Sequence, residues 1–339
     1  MTPTASTRAS LLPPDAPEWV AVLGDVVHDF YHLPAYVALC AAQEGATARA
    51  LYVEDGTRRM LLPLLVRDGL DAASPYGYPG PVGDPAFFEQ ALRTGLEHLR
   101  AQDLVSVFVR LHPLLEPTPP PDVGQLVRHG DTVSIDLTLS TEALWTQTSS
   151  GHRNQINRAL RAGHRAYFDE TWEHYDAFQR LYLSTMGRVG AAPYYRFDKA
   201  YFEGLRQALG SAMHLCVVEI EGAMAAAGLF VETNGLVEYH LSGSDERFAR
   251  ERPTKLMLHT ARGWAKERGD TRLHLGGGVG GSEDSLFLFK AGFSQERHPF
   301  YTLRMIANEE RYADLVRARR PDTDVDDLSG YFPAYRTPR

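Results

Sequence analysis

Apolar and polar residues alternate along the chain in patterns that separate strands from helices. Residues 48–66 form two apolar runs on either side of positions 55–56, which predicts a β-hairpin that turns there. Residues 213–239 predict a second hairpin that turns at positions 221–222, with a third strand after 234–235. Strands and helices therefore mix along the chain, which predicts a fold of mixed α and β structure.

A helical pattern followed by an apolar strand comes after each hairpin. Pro85 opens a helical pattern that leads into a strand near 104–111, and Pro253 opens another that leads into 271–275. Proline suits the first turn of a helix, because an N–H at that position has no acceptor within the helix. Each half of the chain is thus predicted to contain a hairpin, a helix and a further strand.

The two predicted sets of elements lie at a nearly constant distance in sequence. Gly222 follows Gly56 by 166 positions, and Pro253 follows Pro85 by 168. This spacing predicts an internal duplication, with coincidence of common motifs as the alternative. A proline-rich stretch at 114–124 lies between the sets and predicts a loop.

Composition narrows the class of protein. The chain has 339 residues, of which 44% are hydrophobic and 23% charged, as expected for a globular protein with one or two domains. No apolar run approaches the roughly 20 residues that cross a bilayer. The N-terminus has no apolar signal region, and Cys40 and Cys216 are the only cysteines. We therefore expect a cytoplasmic protein without a disulfide framework or a transmembrane segment.

The net charge and the histidine spacing argue against a general nucleic-acid-binding surface and against a metal site. The net charge of -8 argues against a general nucleic-acid-binding surface but leaves room for a local basic groove. The histidines show neither the HExxH motif nor a paired spacing, so we expect no metal site.

Residues 150–165 form a basic stretch without an acidic residue. As a helix, this stretch places Arg153, Asn157 and Arg161 on one face, with Arg158 nearby. Guanidinium groups bind phosphate oxygens with two parallel hydrogen bonds, so the stretch predicts a phosphate-binding surface. The alternative is a basic helix face that contacts only solvent.

Two further stretches offer polar groups for a pocket. Residues 74–82 contain Tyr76 and Tyr78 among prolines and glycines, which predicts an aromatic loop that lines a pocket or, alternatively, a structural turn with packed tyrosines. In the third strand after the second hairpin, Tyr239 and Ser242 are candidate substrate ligands, and His240 is a weak candidate for the base.

The sequence HLGGGVGGSEDSLFLFKAGF, at 274–293, combines a glycine run with a lysine among phenylalanines. The glycines match neither the dinucleotide-binding pattern nor the phosphate-binding loop of nucleotide hydrolases, and they predict close approach of a backbone or a ligand. Asp284 or Ser282 is expected to cap a short helix, residues 285–290, that ends at Lys290. Only four of the 35 basic residues are lysines. Lys290 is predicted to point its ammonium group into a cavity, with an exposed surface position as the alternative.

Taken together, these stretches resemble the Fem-type aminoacyltransferases, which contain two acyltransferase domains of the GNAT fold. The resemblance covers about residues 30–310 and depends on the order of the motifs SPYGYPGP, RNQINRALRAG, RPTKLMLHTARGWAKERG and LGGG…DSLFLFKAGF. It implies an α+β fold of two tandem GNAT-like domains, each with a mixed, mostly antiparallel sheet flanked by helices. We expect the first domain at 1–130 and the second, with the acyl-transfer site, at 131–310. Residues 311–339 are expected to pack back on the first domain.

The resemblance also implies a reaction and a set of site residues. An aminoacyl or acyl group would pass from aminoacyl-tRNA, or from another carrier such as acyl-CoA, to an amine acceptor such as a nucleotide-linked peptidoglycan precursor, and no bound cofactor is expected. The phenylalanine–lysine pair of the family falls on Phe289 and Lys290. The chain has no long coiled-coil insertion, which only some members contain. The candidate catalytic residues are Lys290, Phe289 and Asp284. The candidate substrate- and phosphate-binding residues are Arg153, Asn157, Arg158, Arg161, Tyr76, Tyr78, Tyr239, Ser242, Gly276, Gly277 and Gly278.

Two other functions fit the same fold. The first is an N-acetyltransferase that uses acetyl-CoA, and the second is a tandem domain that binds a ligand without turnover. A GNAT acetyltransferase holds the CoA diphosphate in a loop with small residues before a helix. The corresponding residues 250–255 contain no glycine, and residues 80–85 of the first half include the acidic Asp84. Weak binding of acetyl-CoA is therefore expected.

Overall fold

The computed structural model describes residues 7–115, 123–320, 322 and 324–338. These residues form two compact units. The first unit comprises the described residues of Met1–His129 and Pro299–Arg339, and the second comprises Gly130–His298. Most of the proline-rich stretch predicted as a loop, residues 116–122, lies outside the described residues.

The elements follow one another in chain order. The first part of the first unit contains β1 (Arg8–Leu12), α1 (Pro17–Asp25), α2 (Pro34–Glu44), β2 (Thr47–Glu54), β3 (Arg59–Arg67), β4 (Asp71–Ala73), β5 (Val82–Gly83), α3 (Phe88–Ala101) and β6 (Ser106–Arg110). The next elements are β7 (Gln125–Asp136), α4 (Thr141–Gln147), α5 (Ser150–Arg161), β8 (Arg165–Phe168), α6 (Tyr175–Arg188), α7 (Lys199–Leu209), β9 (Met213–Ile220), β10 (Ala223–Thr233), β11 (Leu236–Ser244), α8 (Pro253–Arg268), β12 (Arg272–Gly276) and α9 (Ser285–Ala291). The chain then forms β13 (Arg297–Ile306) and α10 (Glu309–Arg319).

Each unit contains a mixed, mostly antiparallel sheet. In the first unit the strand order is β1-β2-β3-β4-β6-β13, and only β4 and β6 are parallel neighbours. In the second unit the order is β8-β9-β10-β11-β12-β7, and only β11 and β12 are parallel neighbours. The first five strands follow the same order in both units, whereas the sixth position is taken by β13, the last strand in the chain, in the first unit and by β7, which precedes the other five strands, in the second. The predicted α+β fold with repeated, mostly antiparallel sheets is confirmed.

Local sequence accounts for the hairpin of the second unit. Glu221 and Gly222 connect β9 to β10, and both have positive φ angles, of 52° and 76°. A two-residue hairpin turn with both angles positive matches the right-handed twist of the strands, and glycine adopts this conformation without steric cost. The predicted turn at 221–222 is therefore correct.

Helices and strands bury a separate apolar core in each unit. In the first unit, α3 packs Phe88 and Leu92 against strand residues such as Val107. In the second unit, α8 packs Met257 and Ala261 against the sheet. Burial of such side chains contributes about 1.5–3 kcal/mol each, which is the main stabilising contribution to each unit.

The C-terminal segment belongs to the first unit. Tyr312, on α10, packs with Phe332 and Tyr335 in one apolar cluster. The hydroxyl group of Tyr335 donates to the Asp71 carboxylate at 3.1 Å, and the guanidinium of Arg336 binds the same carboxylate at 2.5 Å. These contacts hold the end of the described chain at strand β4.

The parallel strands of the second unit stay paired over only a few residues. Leu236–Glu238 pair with Arg272–His274, although β11 continues to Ser244. A bulge between Leu229 and Phe230 of β10 shifts the register opposite β11 at the same level. Strand β11 therefore separates from β12 immediately after Glu238. Several candidate site residues follow this point, on β11 and in the glycine run after β12. Among the described residues, no helix is both long and apolar enough to cross a membrane.

Candidate active site

The glycine run after β12 forms a tight loop. Gly276, Gly280 and Gly281 have positive φ angles of 74°, 64° and 84°, a conformation that other residues rarely adopt. A Cβ atom on Gly278 would lie 2.1 Å from the carbonyl oxygen of Ser282, and one on Gly277 would lie 3.0 Å from that of Asp131. Close approach of the protein's own chain thus explains the glycines at these positions, and their contact with a substrate stays a prediction.

Asp284 fixes the end of this loop. One carboxylate oxygen accepts a hydrogen bond from the backbone N–H of Phe287 at 2.9 Å, and the other accepts one from Val279 at 3.0 Å. Burial raises the pKa of Asp284, but the hydrogen bonds from Phe287, Val279 and Leu286 outweigh burial and hold it below its usual value. Of the two predicted caps, Asp284 and Ser282, the structure shows Asp284. A carboxylate with a lowered pKa is a poor proton acceptor, so this environment does not favour Asp284 as the general base.

Lys290 is buried and points back at the glycine loop. Its side chain is 8% exposed, and its Nζ donates a 2.6 Å hydrogen bond to the carbonyl oxygen of Gly277. Burial lowers the pKa of Lys290 to about 8, although the carboxylates of Glu238 and Asp284 act in the opposite direction. The alternative of an exposed surface lysine is thus excluded. The structure brings together Lys290, Asp284, Gly277 and Gly278.

Helix α9, which carries Lys290, docks against the start of α5. The backbone N–H of Ser149 donates to the carbonyl oxygen of Gly292 at 2.8 Å, and Nε2 of His152 lies 2.9 Å from the carbonyl oxygen of Phe289. A Cβ on Gly292 would lie 2.4 Å from the His152 ring. Phe289 therefore holds α5 through its backbone, and its ring packs on His152 with 5.7 Å between the ring centroids.

The basic helix α5 presents only part of its predicted face to solvent. Asn157, Arg158 and Arg161 are exposed. Arg153 differs, because its guanidinium donates to the carbonyl oxygens of Thr146 at 3.0 Å and of Thr148. These carbonyl oxygens lie at the end of helix α4, where the helix itself supplies no N–H donor for them. Grouping Arg153 with an exposed phosphate-binding face therefore needs correction, since its charge stabilises the end of α4.

A second arginine supports the same helix end. The buried Arg262 donates to the carbonyl oxygen of Leu144 at 3.0 Å and to the hydroxyl of Thr148 at 2.8 Å. Cations near the C-terminus of a helix interact favourably with its dipole. Two arginines thus anchor α4, and Asn157, Arg158 and Arg161 are the predicted phosphate ligands that point to solvent.

Tyr239 and Ser242 contact each other on the part of β11 beyond its pairing with β12. The two hydroxyl oxygens are 2.5 Å apart, and the Tyr239 ring stacks on Phe230. Burial raises the pKa of Tyr239 to about 12, with the Ser242 hydrogen bond acting in the opposite direction. The phenol therefore stays protonated at neutral pH and can serve as a hydrogen-bond donor.

Tyr76 and Tyr78 belong to the first unit, whereas the other candidate residues belong to the second. Their loop is packed within its own unit, because the hydroxyl group of Tyr36 donates to the carbonyl oxygen of Tyr76 at 3.0 Å. The Tyr78 ring packs edge-on against Phe300. A Cβ on Gly77 would lie 2.0 Å from the Tyr31 ring. Packed tyrosines thus account for this loop within the unit, and a role in a pocket stays a prediction.

The structure reveals a buried hydrogen-bonded pair, a histidine and a glutamate, that the sequence did not single out. Nδ1 of His274 lies 2.7 Å from Oε1 and 2.9 Å from Oε2 of Glu238, and both side chains are almost completely buried. The two residues stand opposite each other on the parallel strands β12 and β11. The sequence pattern drew attention to other residues in the same two stretches, and only the strand register shows that Glu238 and His274 are in contact.

Comparisons with known proteins agree with this architecture. Residues 150–284 match the family model described as an acetyltransferase (GNAT) domain. The crystal structure of FemX is similar, with a TM-score of 0.65 and 15% sequence identity over 90% of this chain and 99% of that chain. The chain has the fold of the GNAT acyltransferases. The resemblance to Fem-type and tandem GNAT proteins is thus confirmed at the level of fold.

Two further solved structures share this GNAT fold. The C-terminal domain of a putative lysylphosphatidylglycerol synthetase from Agrobacterium fabrum has a TM-score of 0.59 and 14% identity, over 86% of this chain and 90% of that chain. The structure of L-PGS from Bacillus licheniformis has a TM-score of 0.58 and 16% identity, over 88% and 93%. No curated protein sequence matches the chain.

The family match covers most of the candidate site. It begins at Ser150, the first residue of α5, and ends at Asp284, which caps α9. It therefore includes Glu238 and His274, and it ends six residues before Lys290. The matched residues thus include β11 and β12, and Lys290 lies six residues after their end.

One cluster within residues 150–284 has the residue types of a metal site. Ligand atoms of Asp169, Glu173 and His174 lie within 4.8 Å of one another. The Asp169 carboxylate already accepts hydrogen bonds from the backbone N–H of Thr171 at 3.1 Å and of His174 at 2.8 Å. A turn held by a carboxylate accounts for this cluster without an ion.

Proposed function

We propose that the protein transfers an aminoacyl group from aminoacyl-tRNA to an amine, at a site in the second unit that contains Lys290. The observation that carries this proposal is the buried ammonium group of Lys290 at the carbonyl oxygen of Gly277. A fixed positive charge beside a loop, in a chain with an acyltransferase fold, suits the charge that develops during acyl transfer.

The reaction requires stabilisation of a negative oxygen. The amine nitrogen attacks the ester carbon of the aminoacyl group, and the carbonyl oxygen becomes an oxyanion in the tetrahedral intermediate. The C–O bond to the tRNA ribose then breaks, the nitrogen loses a proton, and the ribose oxygen gains one. An ammonium group that is preorganised in a buried site stabilises such an oxyanion by about 3–4 kcal/mol. Lys290, with a pKa of about 8, is mostly charged at neutral pH.

The start of helix α8 argues against CoA as the acyl donor. Pro253 stands at the first position of the helix and is buried, so it offers no N–H there. Arg252 precedes it in a left-handed conformation, with φ of 52°. A diphosphate at a helix N-terminus needs backbone N–H groups and small residues that let it approach. The start of α8 fits these requirements poorly.

The exposed residues of α5 support a larger phosphate-bearing donor. Asn157, Arg158 and Arg161 offer donors for phosphate oxygens, and no acidic residue occurs within 150–165. Helix α5 is hydrogen-bonded to the end of α9, which carries Lys290. A nucleic-acid backbone bound along α5 would thus be held by the same pair of helices that positions the lysine.

For the acceptor, we propose an amine on a nucleotide-linked cell-wall precursor peptide, as the resemblance to the Fem-type enzymes implies. One similar structure is the C-terminal domain of a putative lysylphosphatidylglycerol synthetase, and the name of that protein refers to a product that carries a lysyl group, which is an aminoacyl group. The proposed donor and acceptor both occur in the cytoplasm, which is where we place the reaction. The proposal requires no bound cofactor, because the ester of the donor already activates the acyl group.

A survey of donors tests the proposal. The protein is incubated with charged tRNAs or acyl-CoAs, with and without amine acceptors, and loss of the acyl group from each donor is recorded. We expect deacylation of aminoacyl-tRNA that depends on the acceptor. Consumption of acetyl-CoA alone would instead identify an acetyltransferase, and tight binding without turnover would identify a binding module. Lys199→Ala is the matched control for removal of a lysine, because Lys199 is exposed on α7.

A further inference from the structure

Helix α9 is too short to hold its own position. It contains seven residues, Ser285–Ala291, and isolated helices shorter than about 12–15 residues are marginal in water. Contacts from neighbouring elements must therefore fix its place in the second unit. Lys290 lies in its last turn, so the same contacts determine where the ammonium group is held.

The C-terminal end of α9 is held by α5. The last carbonyl oxygens of a helix lack donors from further along the helix. Nε2 of His152 lies 2.9 Å from the carbonyl oxygen of Phe289, the residue before Lys290. The backbone N–H of Ser149 donates to the carbonyl oxygen of Gly292 at 2.8 Å. Because a carbonyl oxygen only accepts hydrogen bonds, Nε2 of His152 carries a proton and is the donor.

The His152 ring fits tightly against the same end of α9. The residue is 8% exposed, and its ring centroid lies 4.8 Å from that of Phe293 and 5.7 Å from that of Phe289. A Cβ on Gly292 would lie 2.4 Å from the ring, so the glycine leaves the space that the ring fills. Burial lowers the pKa of His152, although the hydrogen bond with Phe289 acts in the opposite direction. The imidazole is thus neutral at pH 7, with its proton on Nε2.

The other contacts of α9 come from the glycine loop. Asp284 accepts a hydrogen bond from the backbone N–H of Phe287 at 2.9 Å. Nζ of Lys290 donates to the carbonyl oxygen of Gly277 at 2.6 Å. His152 differs, because it comes from α5, the helix whose exposed side chains are the candidate phosphate ligands. His152 therefore joins the candidate donor-binding helix to the backbone that carries Lys290.

We propose that His152 is a positioning residue, whose hydrogen bond to the carbonyl oxygen of Phe289 holds the Lys290 ammonium group at a fixed place relative to a donor bound along α5. Its consequence for transfer rests on the proposed function, whereas its hold on Lys290 exists in the protein alone. Loss of this hydrogen bond should lower the rate of transfer and leave the binding of tRNA unchanged, because Arg158 and Arg161 are retained.

Lysine labelling measures the position of Lys290 without a transfer assay. The folded protein is treated with a trace of acetic anhydride, and mass spectrometry compares the label on Lys290 with that on the exposed Lys199. His152→Phe keeps a ring but removes the donor. Labelling of Lys290 should then rise by roughly tenfold, because a buried carbonyl oxygen at the end of α9 has lost its donor and the helix loosens.

Two further variants show whether the hydrogen bond itself is responsible. His152→Gln keeps an N–H donor and should leave the labelling of Lys290 close to that of the wild-type protein. His164→Phe is the matched control for the new ring, because His164 lies beyond the end of α5 at Arg161. Unchanged labelling of Lys290 in folded His152→Phe overturns the proposal, and so does an equal rise in His152→Gln.

A substitution on the other side of the contact keeps the test decisive if His152→Phe does not fold. Gly292 has ordinary helical backbone angles, with φ of -68°, so alanine causes no backbone strain there. The new Cβ of Gly292→Ala would lie 2.4 Å from the His152 ring and displace it from Phe289, so labelling of Lys290 should again rise. Gly151→Ala, which adds a Cβ in open space beside His152, is the control. No rise in folded Gly292→Ala would then overturn the proposal.

Single-turnover transfer separates this inference from the proposed function. His152→Phe should lower the rate by roughly tenfold, His152→Gln should retain most of it, and the Kd for tRNA should stay unchanged in both. If the wild-type protein transfers no aminoacyl group but labelling of Lys290 rises in His152→Phe alone, the proposed function fails and the positioning of Lys290 by His152 stands. If transfer is observed and neither the labelling nor the rate changes, the inference alone fails.

Discussion

The ammonium group of Lys290 donates a 2.6 Å hydrogen bond to the carbonyl oxygen of Gly277, across the loop that the glycine run forms. This contact links the short helix α9 to the end of strand β12. It holds the charge of a nearly buried lysine at the place where β11 and β12 have parted. The predictions below depend on this arrangement.

Removal of the Lys290 charge should abolish most activity without loss of the fold. We expect Lys290→Ala to lower kcat by roughly two orders of magnitude or more, the usual effect of losing one oxyanion donor. Lys290→Arg should recover little activity, because the planar guanidinium needs a different space from the compact ammonium. Steady-state kinetics with circular dichroism as the folding check measures both effects, and full activity of Lys290→Ala would remove Lys290 from the mechanism.

The pH dependence of transfer should show the titration of Lys290. The lysine is charged below its pKa of about 8 and neutral above it. Because the charged form stabilises the oxyanion, kcat/KM should fall as the pH rises through about 8. The measurement is a pH profile of kcat/KM with an acceptor whose own amine titrates elsewhere. A profile without a high-pH decrease would contradict the role of the charged form.

Substitutions of the α5 arginines should affect either tRNA binding or protein stability, depending on the position. Arg158→Ala and Arg161→Ala should weaken tRNA binding, and each of these substitutions should reduce the slope of log K against log salt by roughly one, because one phosphate ligand is removed. Arg153→Ala should instead lower the free energy of unfolding by about 1–2 kcal/mol, because carbonyl oxygens at the end of α4 lose a charged donor. Filter binding at several salt concentrations and urea denaturation measure the two effects. Weaker tRNA binding in Arg153→Ala, together with lower stability in Arg158→Ala and Arg161→Ala, would contradict these assignments of binding and stability along α5.

Two glycines of the loop should respond differently to alanine. Gly278→Ala should be strongly destabilising, because its Cβ would lie 2.1 Å from the carbonyl oxygen of Ser282. Gly280→Ala has open space around it, so its cost should be limited to the left-handed backbone, about 1–2 kcal/mol. Thermal denaturation of the two variants compares them, and equal stability would show that the loop can rearrange.

Binding of acetyl-CoA should be weak or absent. The buried Pro253 removes an N–H from the start of α8, where a diphosphate would need donors. Isothermal titration calorimetry with acetyl-CoA, with and without tRNA, makes the measurement. Micromolar affinity for acetyl-CoA that tRNA leaves unchanged would favour an acetyltransferase instead.

Local sequence signals were sufficient for much of the fold and part of the site. The turn at 221–222, the helix that starts at Pro253 and the Asp284 cap depend on neighbouring residues, and the structure contains all three. The partners of Arg153 and the Glu238–His274 pair were beyond reach, because they depend on packing and strand register. A guanidinium on a helix face has the same sequence pattern whether it points to solvent or to carbonyls of the preceding helix.

The most direct test of the proposed function is a single-turnover reaction with a labelled aminoacyl-tRNA and a nucleotide-linked amine acceptor. Wild-type protein and Lys290→Ala are compared, with Lys199→Ala as the control, and label transferred into acid-stable amide product is counted. We predict transfer by wild-type protein and Lys199→Ala and a loss of roughly two orders of magnitude in rate with Lys290→Ala. Equal rates for all three proteins, or no amide product from any charged tRNA, would contradict the account.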